Sequence, residues 1–323
     1  MVQYPPVRIK AGGLSMYDII VVGGGPAGMT AALYALRNGK SALVIEKNGF
    51  GGQITHSPRV ENYPGTLSMS GNEFAEKTLD QILHQGAEIE FETVTGVRTE
   101  NGSHVVLTEE GGRYEAKCVI LATGVRHRML GLQGEGALVG DGISFCAVCD
   151  GDFYAGKQVC VAGGGNSALQ EAILLSEKCA LVTILQDLPA LTGEERLRRT
   201  LAARPNVRVR TGVRITDLVT DGEELRGVAI DAGTGETETV PCDGLFVAIG
   251  LIPENAPFSH LADLNAWGYF DSDERCLTRT PGVFVAGDCR SKSVRQLTTA
   301  VADGAAAALA ACAYIDVQSA PAV

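Results

Sequence analysis

Residues 17–28 read Tyr17-Asp18-Ile19-Ile20-Val21-Val22-Gly23-Gly24-Gly25-Pro26-Ala27-Gly28. The apolar first half predicts a short buried strand, and the glycine-rich second half predicts a tight turn that opens a helix. A second apolar run follows at residues 42–45 and ends at Glu46, which lies 18 residues after Gly28. A lone G-x-G-x-x-G is a weak signal, but strand, turn, helix, strand and acid in this order predict a dinucleotide-binding unit.

Each glycine of this turn has its own physical role. Gly23 permits the tight turn, Gly25 lets a pyrophosphate approach the backbone, and Gly28 lets the helix lie close to the strand. The helix N-terminus offers free N–H groups and partial positive charge to the phosphates. Glu46 can accept hydrogen bonds from ribose hydroxyls. A glycine turn in an ordinary α/β unit is the alternative interpretation.

The same pattern occurs a second time. An apolar run at 158–162 leads into Gly163-Gly164-Gly165-Asn166-Ser167-Ala168, with alanine in the third place. The two turns start 140 residues apart (163 − 23), which indicates duplication of a whole domain rather than a short repeat. The predicted fold class is therefore α/β with two nucleotide-binding domains. Other patterns predict loops at 51–53 and 62–65, an amphipathic helix over 71–85 and alternating strands over 94–116.

Composition limits the class of protein. The chain has 323 residues, of which 45% are hydrophobic and 20% charged, so it can bury the cores of two domains. Its formal net charge of −11 argues against a nucleic-acid partner, because phosphate binding needs a basic face. Its nine cysteines are an odd number scattered over a long chain, unlike the dense framework of a small secreted protein. We therefore predict a reducing, cytoplasmic location.

No segment predicts a membrane protein. Residues 1–15 lack the apolar stretch of a signal peptide. The longest apolar run, residues 304–315, is too short to span a bilayer, and its alanine content suits a buried helix.

Between the two glycine turns the chain reads Cys146-Ala147-Val148-Cys149-Asp150-Gly151. Cysteines at this spacing form a redox-active dithiol, in which the thiolate is the nucleophile and the pKa of one thiol can be lowered. The acid that follows can serve as a proton donor. A structural zinc site is the alternative, but it needs four ligands. The chain has no second C-x-x-C and no histidines at ligand spacing, so we predict no metal.

On these residues the chain resembles the low-molecular-weight, bacterial-type thioredoxin reductases over about residues 17–313. The most specific matching segments are Gly51-Gly52-Gln53, Glu61-Asn62-Tyr63-Pro64-Gly65, the cysteine segment, and Gly287-Asp288 with Arg295-Gln296. The resemblance implies two nested Rossmann-like, three-layer domains, the second inserted in the first. An FAD-binding domain would comprise residues 1–125 and 251–323. An NAD(P)-binding-like domain carrying the cysteine pair would comprise residues 126–250.

The resemblance also assigns roles to single residues. Cys149 would face the flavin, Cys146 would attack the disulfide of the partner, and Asp150 would move protons. Gly287 would let the backbone come near the flavin, Asp288 would bind the ribityl chain, and Arg295 would lie along the ring. The residues implied to bind FAD are Gly23, Gly25, Pro26, Ala27, Gly28, Glu46, Gly52, Gln53, Asn62, Val94, Ala122, Thr123, Gly124, Gly287, Asp288, Arg295, Gln296 and Leu297. The implied partner is thioredoxin or a similar dithiol protein, and the implied assembly is a homodimer through the FAD domain.

The second glycine turn departs from the family pattern. NADPH-using relatives carry His-Arg-Arg after the second strand and another Arg further on, and these cations hold the 2′-phosphate. Here the matching positions read Gln186-Asp187-Leu188 and then Thr192. Asp187 would repel a 2′-phosphate, whereas an acid 19 residues after Ala168 is compatible with the 2′-hydroxyl of NADH. NAD(P)H binding is therefore doubtful, and the donor is NADH or a non-pyridine donor such as ferredoxin.

The leading hypothesis is an FAD-dependent thiol–disulfide oxidoreductase that reduces a thioredoxin-type disulfide. A flavin-dependent dithiol oxidase is the first alternative; it makes disulfides with oxygen as acceptor, and steady oxygen consumption with a dithiol would distinguish it. A non-enzymatic flavin redox sensor is the second alternative, and it predicts a reducible cysteine pair without turnover on any protein disulfide.

Overall fold

A computed structural model describes residues 16–57, 59–100, 102–233 and 235–319, so the segment 1–15 discussed above lies outside the described residues. In chain order the strands and helices are β1 (Tyr17–Val22), α1 (Pro26–Arg37), β2 (Ala42–Glu46), α2 (Gly71–His84), β3 (Glu88–Phe91), β4 (Val94–Glu100), β5 (Ser103–Thr108), β6 (Arg113–Leu121), β7 (Val125–His127), β8 (Ile143–Ser144), α3 (Ala147–Asp150), β9 (Gln158–Ala162), α4 (Asn166–Ser176), β10 (Leu181–Gln186), α5 (Glu195–Ala202), β11 (Val207–Thr211), β12 (Arg214–Asp221), β13 (Glu224–Asp231), β14 (Thr237–Pro241), β15 (Gly244–Val247), β16 (Leu251–Pro253), β17 (Val283–Val285) and α6 (Leu297–Ser319).

The chain divides into two compact units. Unit 1 comprises Met1–Thr55, Tyr63–Arg126 and Pro253–Val323, and unit 2 comprises His56–Asn62 and His127–Ile252. Strands β7 and β16 pair with each other where the chain passes from one unit to the other. The division into an FAD domain and a cysteine domain at 1–125, 126–250 and 251–323 is defined by cofactor, and it stays a prediction.

Unit 1 is built on a parallel sheet in the order β3-β2-β1-β6-β17, extended by the antiparallel strands β5 and β4 beside β6. Val22 at the end of β1 pairs with Ile45 on one side and Leu121 on the other. Val285 at the end of β17 pairs with the same Leu121. The carboxyl ends of β1, β2, β6 and β17 therefore meet at one edge, where open α/β sheets bind ligands.

Helices α1 and α6 cover one face of this sheet at close range. A Cβ added at Gly304 would lie 2.1 Å from the carbonyl oxygen of Ala27, so only glycine fits at this crossing. Ala307, Ala308 and Ala311 complete the face and belong to the same buried cluster as α1. Helix α6 has 23 residues and is apolar enough to cross a membrane by length and composition alone. Its small residues instead form part of the unit 1 core, as predicted for the apolar run at 304–315.

Unit 2 repeats the plan with a parallel sheet in the order β11-β10-β9-β15-β8 and a separate antiparallel sheet of β12, β13 and β14. The strand that precedes each glycine turn lies inside its sheet and pairs with the strand that follows the helix. In unit 1 β1 pairs with β2, and in unit 2 β9 pairs with β10. The two glycine turns thus occupy equivalent positions in their sheets, and the predicted α/β class is confirmed.

One predicted loop is wrong. Residues Gly52–His56 form a 3-10 helix, whereas the glycines at 51–53 predicted a loop. The Gly51 N–H donates to the carbonyl oxygen of Gly24 at 2.8 Å, and the Thr55 hydroxyl donates to the carbonyl oxygen of Gly52 at 2.8 Å. These two hydrogen bonds hold the 3-10 helix beside the first glycine turn, residues 23–28.

Candidate active site

The first glycine turn has the geometry of a dinucleotide cradle. Gly23 has φ +109°, and a Cβ there would lie 2.3 Å from the carbonyl oxygen of Ala122. A Cβ at Gly28 would lie 1.9 Å from the carbonyl oxygen of Gly23. At Gly25 the nearest atom to such a Cβ is the oxygen of Gly51, 4.0 Å away, so this position faces open space. No side chain caps the N-terminus of α1, which leaves its first N–H groups for phosphate oxygens.

Glu46 lies at the end of β2 and organises this turn. Its Oε2 accepts the Gly24 N–H at 2.7 Å, and its Oε1 accepts the Asn48 N–H at 2.9 Å. Each carboxylate oxygen has a second lone pair, so the predicted contact with a ribose is compatible with these bonds. Glu46 thus has a second role, because its two hydrogen bonds hold the backbone of the first glycine turn in place.

The ends of β6 and β17 complete the edge of unit 1. Ala122, Thr123 and Gly124 follow β6, and the Thr123 hydroxyl donates to Oδ1 of the fully buried Asn255 at 2.8 Å. Gly287 follows β17 with φ +83°, and a Cβ there would lie 2.7 Å from the Cβ of Ala27. The segment after β17 therefore lies directly beside the first residues of α1.

Asp288 has a buried oxygen, Oδ1, with no hydrogen-bond partner among the described residues. Burial raises the pKa of this carboxyl, and the cations of Lys292 and Arg295 offset part of that rise. A buried acceptor without a donor is costly. A hydroxyl group of a bound molecule would satisfy it.

Arg295 is held in place by the loop that it crosses. Its guanidinium lies over the ring of Tyr269 at 4.2 Å from the centroid and donates to the backbone oxygens of Asp288, Arg290 and Lys292. Arg290 and Lys292 in turn donate to the two carboxylate oxygens of Asp303 at 2.9 and 2.8 Å. The sequence analysis missed this ion network, which joins the loop after β17 to α6.

The remaining predicted FAD-binding residues fall in five places. Pro26 and Ala27 begin α1, Gly52 and Gln53 begin the 3-10 helix, and Gln296 and Leu297 stand at the start of α6. Val94 begins β4 and packs, partly buried, against the cluster that contains Val22 and Ile45. Asn62 belongs to the segment His56–Asn62 of unit 2 rather than to the unit 1 set.

The cysteine pair of unit 2 is a disulfide. Cys146 and Cys149 are bonded with their Cα atoms 5.3 Å apart, and Cys146 caps the single turn of α3. The Cys149 N–H donates to Sγ of Cys146 at 3.2 Å, which stabilises negative charge on that sulfur when the bond is reduced. Val148, between them, is 55% exposed, so the disulfide lies at the surface of unit 2.

Asp150 is connected to the pair through Ser144, a residue that the sequence analysis missed. The Ser144 hydroxyl accepts the Cys146 N–H at 3.1 Å and donates to Oδ2 of Asp150 at 2.6 Å. Burial raises the pKa of Asp150, and the bond from Ser144 offsets part of that rise. The other oxygen, Oδ1, is buried without a partner among the described residues. Asp150 is therefore a carboxyl suited to hold a proton beside the disulfide.

The other seven cysteines are all free and buried. Burial raises the pKa of several of them, including Cys118 to about 12 and Cys179 to about 11. Such thiols are poor nucleophiles, so they fill the core as predicted.

The second glycine turn has the backbone of the first. Gly163 has φ +121°, and a Cβ there would lie 2.6 Å from the carbonyl oxygen of Ala248. Its N–H donates to the oxygen of Leu185, just as that of Gly23 donates to Ile45. The residue after this acceptor is Glu46 in unit 1 and Gln186 in unit 2.

This register corrects the interpretation of Asp187. The counterpart of Glu46 is the buried Gln186, whose side chain packs against Gly164, and Asp187 is the exposed residue that follows. Thr192 lies beside the same turn, because its N–H donates to the oxygen of Gly164 at 2.9 Å. The downstream arginines of α5 form solvated pairs, with Arg198 and Arg199 both bonded to Glu195.

Comparison with known proteins agrees with this geometry. Residues 17–304 match the pyridine nucleotide-disulphide oxidoreductase family. The chain is 36% identical to a thioredoxin reductase of Bacillus subtilis over 93% of this chain and 95% of that protein. It is 38% identical to one of Treponema pallidum over 93% of this chain and 97% of that protein. The crystal structure of thioredoxin reductase from Streptococcus pyogenes superposes with a TM-score of 0.89 at 35% identity, covering 94% of this chain and all of that chain. The chain therefore belongs to the pyridine nucleotide-disulphide oxidoreductase family and is an FAD-binding flavoprotein disulfide oxidoreductase of the thioredoxin reductase type.

Proposed function

We propose that this enzyme passes electron pairs from FAD through Cys149 and Cys146 to the disulfide of thioredoxin or a similar dithiol protein. The observation that carries the proposal is the Cys146–Cys149 disulfide bonded through Ser144 to the buried Asp150. It combines an exchangeable disulfide, a backbone donor for one thiolate and an acid that can hold a proton. The residues proposed to bind FAD lie in unit 1, except for Asn62, and the disulfide lies in unit 2, which supports the proposed two domains.

The residues of unit 1 fit FAD. Gly25 faces open space at the uncapped N-terminus of α1, as a pyrophosphate requires. The buried Oδ1 of Asp288, which has Lys292 at 4.0 Å but no hydrogen bond among the described residues, fits a hydroxyl of the ribityl chain. When bound, FAD supplies the electron pair. The chain supplies the binding groups, the disulfide and the proton.

In unit 2 the two sulfurs have separate tasks. Cys146, whose sulfur receives the Cys149 N–H, is the nucleophile toward the partner's disulfide. Cys149 then attacks the mixed disulfide, releases the partner as a dithiol and restores the Cys146–Cys149 bond. The exposed Val148 beside the sulfurs gives an extended partner segment an apolar contact.

We further propose that the chain is an atypical member whose donor is not NADPH. Around Gly164 the chain presents a buried neutral amide at Gln186 and exposed Asp187, Leu188 and Thr192. None of these four side chains is a cation that could hold a 2′-phosphate, and Asp187 repels one. NADH, or a non-pyridine donor such as ferredoxin, supplies the electrons. We propose a cytoplasmic homodimer on the strength of the family resemblance.

Reductive titration tests the role of the cysteine pair. The parent flavoprotein should take up two electron pairs per flavin from dithionite, one for the flavin and one for the disulfide. Cys146→Ser and Cys149→Ser should each take up one pair, and the buried-cysteine control Cys179→Ser should take up two. If Cys146→Ser still takes up two pairs, another disulfide is the acceptor and the assignment is wrong.

Anaerobic titration of the oxidised protein with NADPH, NADH and reduced ferredoxin in turn tests the donor. Bleaching of the flavin by NADH or ferredoxin, with little bleaching by NADPH, is the expected result. Preferential bleaching by NADPH contradicts the proposal. Steady oxygen consumption with a dithiol substrate, in place of thioredoxin reduction, would identify the dithiol oxidase instead.

A further inference from the structure

A second carboxyl, Glu171, lies close to Asp150 in unit 2. Helix α3 packs against α4, and a Cβ added at Gly151 would lie 3.4 Å from Cδ2 of Leu175. Glu171 precedes Leu175 by one helical turn and so shares its face of α4. Its Oε2 is buried and has no hydrogen-bond partner among the described residues. Among the described residues of unit 2, the one other buried side-chain oxygen without a hydrogen-bond partner is Oδ1 of Asp150.

The hydrogen bonds around Asp150 decide which of its oxygens can carry a proton. The Ser144 oxygen accepts the Cys146 N–H, so its single hydrogen is directed to Oδ2 of Asp150. Oδ2 is therefore an acceptor, and a proton on Asp150 must sit on Oδ1. Oδ1 is also the oxygen of Asp150 without a hydrogen-bond partner. Each carboxyl therefore has one oxygen that can exchange a proton, Oδ1 in Asp150 and Oε2 in Glu171.

The charges around Glu171 favour its protonated form. Burial and, to a smaller extent, the negative charge of Asp150 together raise the pKa of Glu171 to about 8. Among the described residues Asp150 is the one charged group that shifts the pKa of Glu171. The charges on neighbouring segments are paired, Glu195 with Arg198 and Arg199 on α5 and Asp152 with Lys178 beside α3. Two like carboxyls that share a buried site retain a proton between them at neutral pH.

We propose that Glu171 is a positioning residue that stores the proton which Asp150 exchanges with the cysteine pair. The proposal rests on the function given above. It adds a group that neither the cysteine motif nor the acid next to it includes.

An electron pair from the flavoenzyme's own activity breaks the Cys146–Cys149 bond and leaves two thiolates. The proton stored on Glu171 passes through Oδ1 of Asp150 to one thiolate, so that both carboxyls are carboxylates and one thiolate remains. When the partner's disulfide takes the electron pair, the Cys146–Cys149 bond forms again. The thiol proton then returns through Asp150 to Glu171, and the two thiolates of the partner take their protons from solvent.

The pH dependence of partner reduction tests this proposal. Protein reduced with dithionite is mixed with oxidised thioredoxin, and the rate is followed from about pH 6 to about pH 9.5. Glu171→Gln should move the alkaline limb of the profile down by at least about one pH unit, since Asp150 alone loses its proton sooner. Glu171→Asp should keep the parent profile. Glu177→Gln, a change at the exposed glutamate that follows the last residue of α4 and pairs with Arg204, should also keep it. A uniform loss of rate with an unmoved limb means that Glu171 is only structural and overturns the proposal.

An infrared difference spectrum between oxidised and reduced protein gives a readout that needs no partner and no turnover. The parent should lose the carbonyl band of a protonated carboxyl on reduction, and Glu171→Gln should lack that change. A parent without the band overturns the proposal, even if the variant fails to fold. If the parent does not reduce thioredoxin at all, the proposed function fails. The infrared result still decides the role of Glu171.

Discussion

Placing cations around Gly164 should convert the second fingerprint into an NADPH site. The change is the triple variant Asp187→Arg, Leu188→Arg and Thr192→Arg, which alters three exposed side chains and leaves the buried Gln186 in place. The backbone bond from the Thr192 N–H to Gly164 survives, because only the side chain is replaced. The fold should therefore tolerate all three changes.

The expected gain follows from Coulomb's law. A 2′-phosphate carries nearly two charges, so at about 4–6 Å in a partly exposed site its repulsion by Asp187 costs about 1–3 kcal/mol. An arginine there reverses the sign, and each further arginine fork adds about 1 kcal/mol after screening. At the low end of these values the three arginines together contribute about 4 kcal/mol, so we expect the ratio of NADPH to NADH efficiency in flavin reduction to rise by about 1000-fold.

Stopped-flow flavin reduction by each nucleotide measures this ratio. Asp187→Asn should produce a small part of the gain. Asp221→Arg on β12 makes the same change of charge as Asp187→Arg at a distant position of the chain and should leave the ratio unchanged. Fast reduction of the unaltered protein by micromolar NADPH refutes the reasoning about the donor. A triple variant that remains inert to both nucleotides refutes NADH as donor and leaves the non-pyridine donor.

Three further predictions concern the cofactor and the proton path. Gly25→Val should fold with a parent-like melting temperature but lose FAD. A Cβ at this position meets no atom closer than 4.0 Å, so the valine side chain only fills the space of the pyrophosphate. Flavin content per chain measures the loss, and a variant that retains FAD contradicts the prediction. Ser144→Ala should raise the pKa of Asp150, whose rise is now offset by the serine bond, and shift the alkaline limb of thioredoxin reduction to higher pH, opposite to Glu171→Gln. Because the Glu171 pKa is raised in the fold, its stabilising effect is complete below about pH 4.5 and is lost as pH rises through about 8. The free energy of unfolding of the parent, measured with denaturant, should therefore fall by up to about 1.4 kcal/mol per pH unit in that window relative to that of Glu171→Gln. The same pH dependence of this free energy in both proteins would contradict the raised pKa.

The sequence predicted the parts of the site that local geometry dictates. Backbone atoms of the same turn or of the neighbouring strand leave no room for a Cβ at Gly23 or Gly28. The spacing of these glycines therefore predicts the turn. The same spacing could have identified Gln186, which lies 18 residues after Ala168, as Glu46 lies 18 after Gly28. The negative charge of Asp187 favours that residue as the ribose-binding acid, but the strand register places Gln186 at the position equivalent to Glu46.

Other parts of the site depend on contacts between distant segments. Ser144 and Glu171 reach Asp150 from β8 and from α4, and a single sequence gives no sign of such a meeting. Asn255 bonds Thr123 across 132 positions of the chain. Residues of this kind are polar and isolated in sequence, so only folding shows that they are buried and paired.

A single-turnover reaction with thioredoxin tests the central claim most directly, since it does not require the natural donor. The flavoprotein is reduced with dithionite, freed of excess reductant and mixed anaerobically with oxidised thioredoxin. The account predicts nearly two thioredoxin dithiols per fully reduced protein, one from the cysteine pair and one from the flavin electrons that reduce the pair again, and none from Cys146→Ser or Cys149→Ser. Equal yields from the parent and from both serine variants, or no dithiol from the parent, would contradict the claim that electrons leave this protein through Cys149 and Cys146.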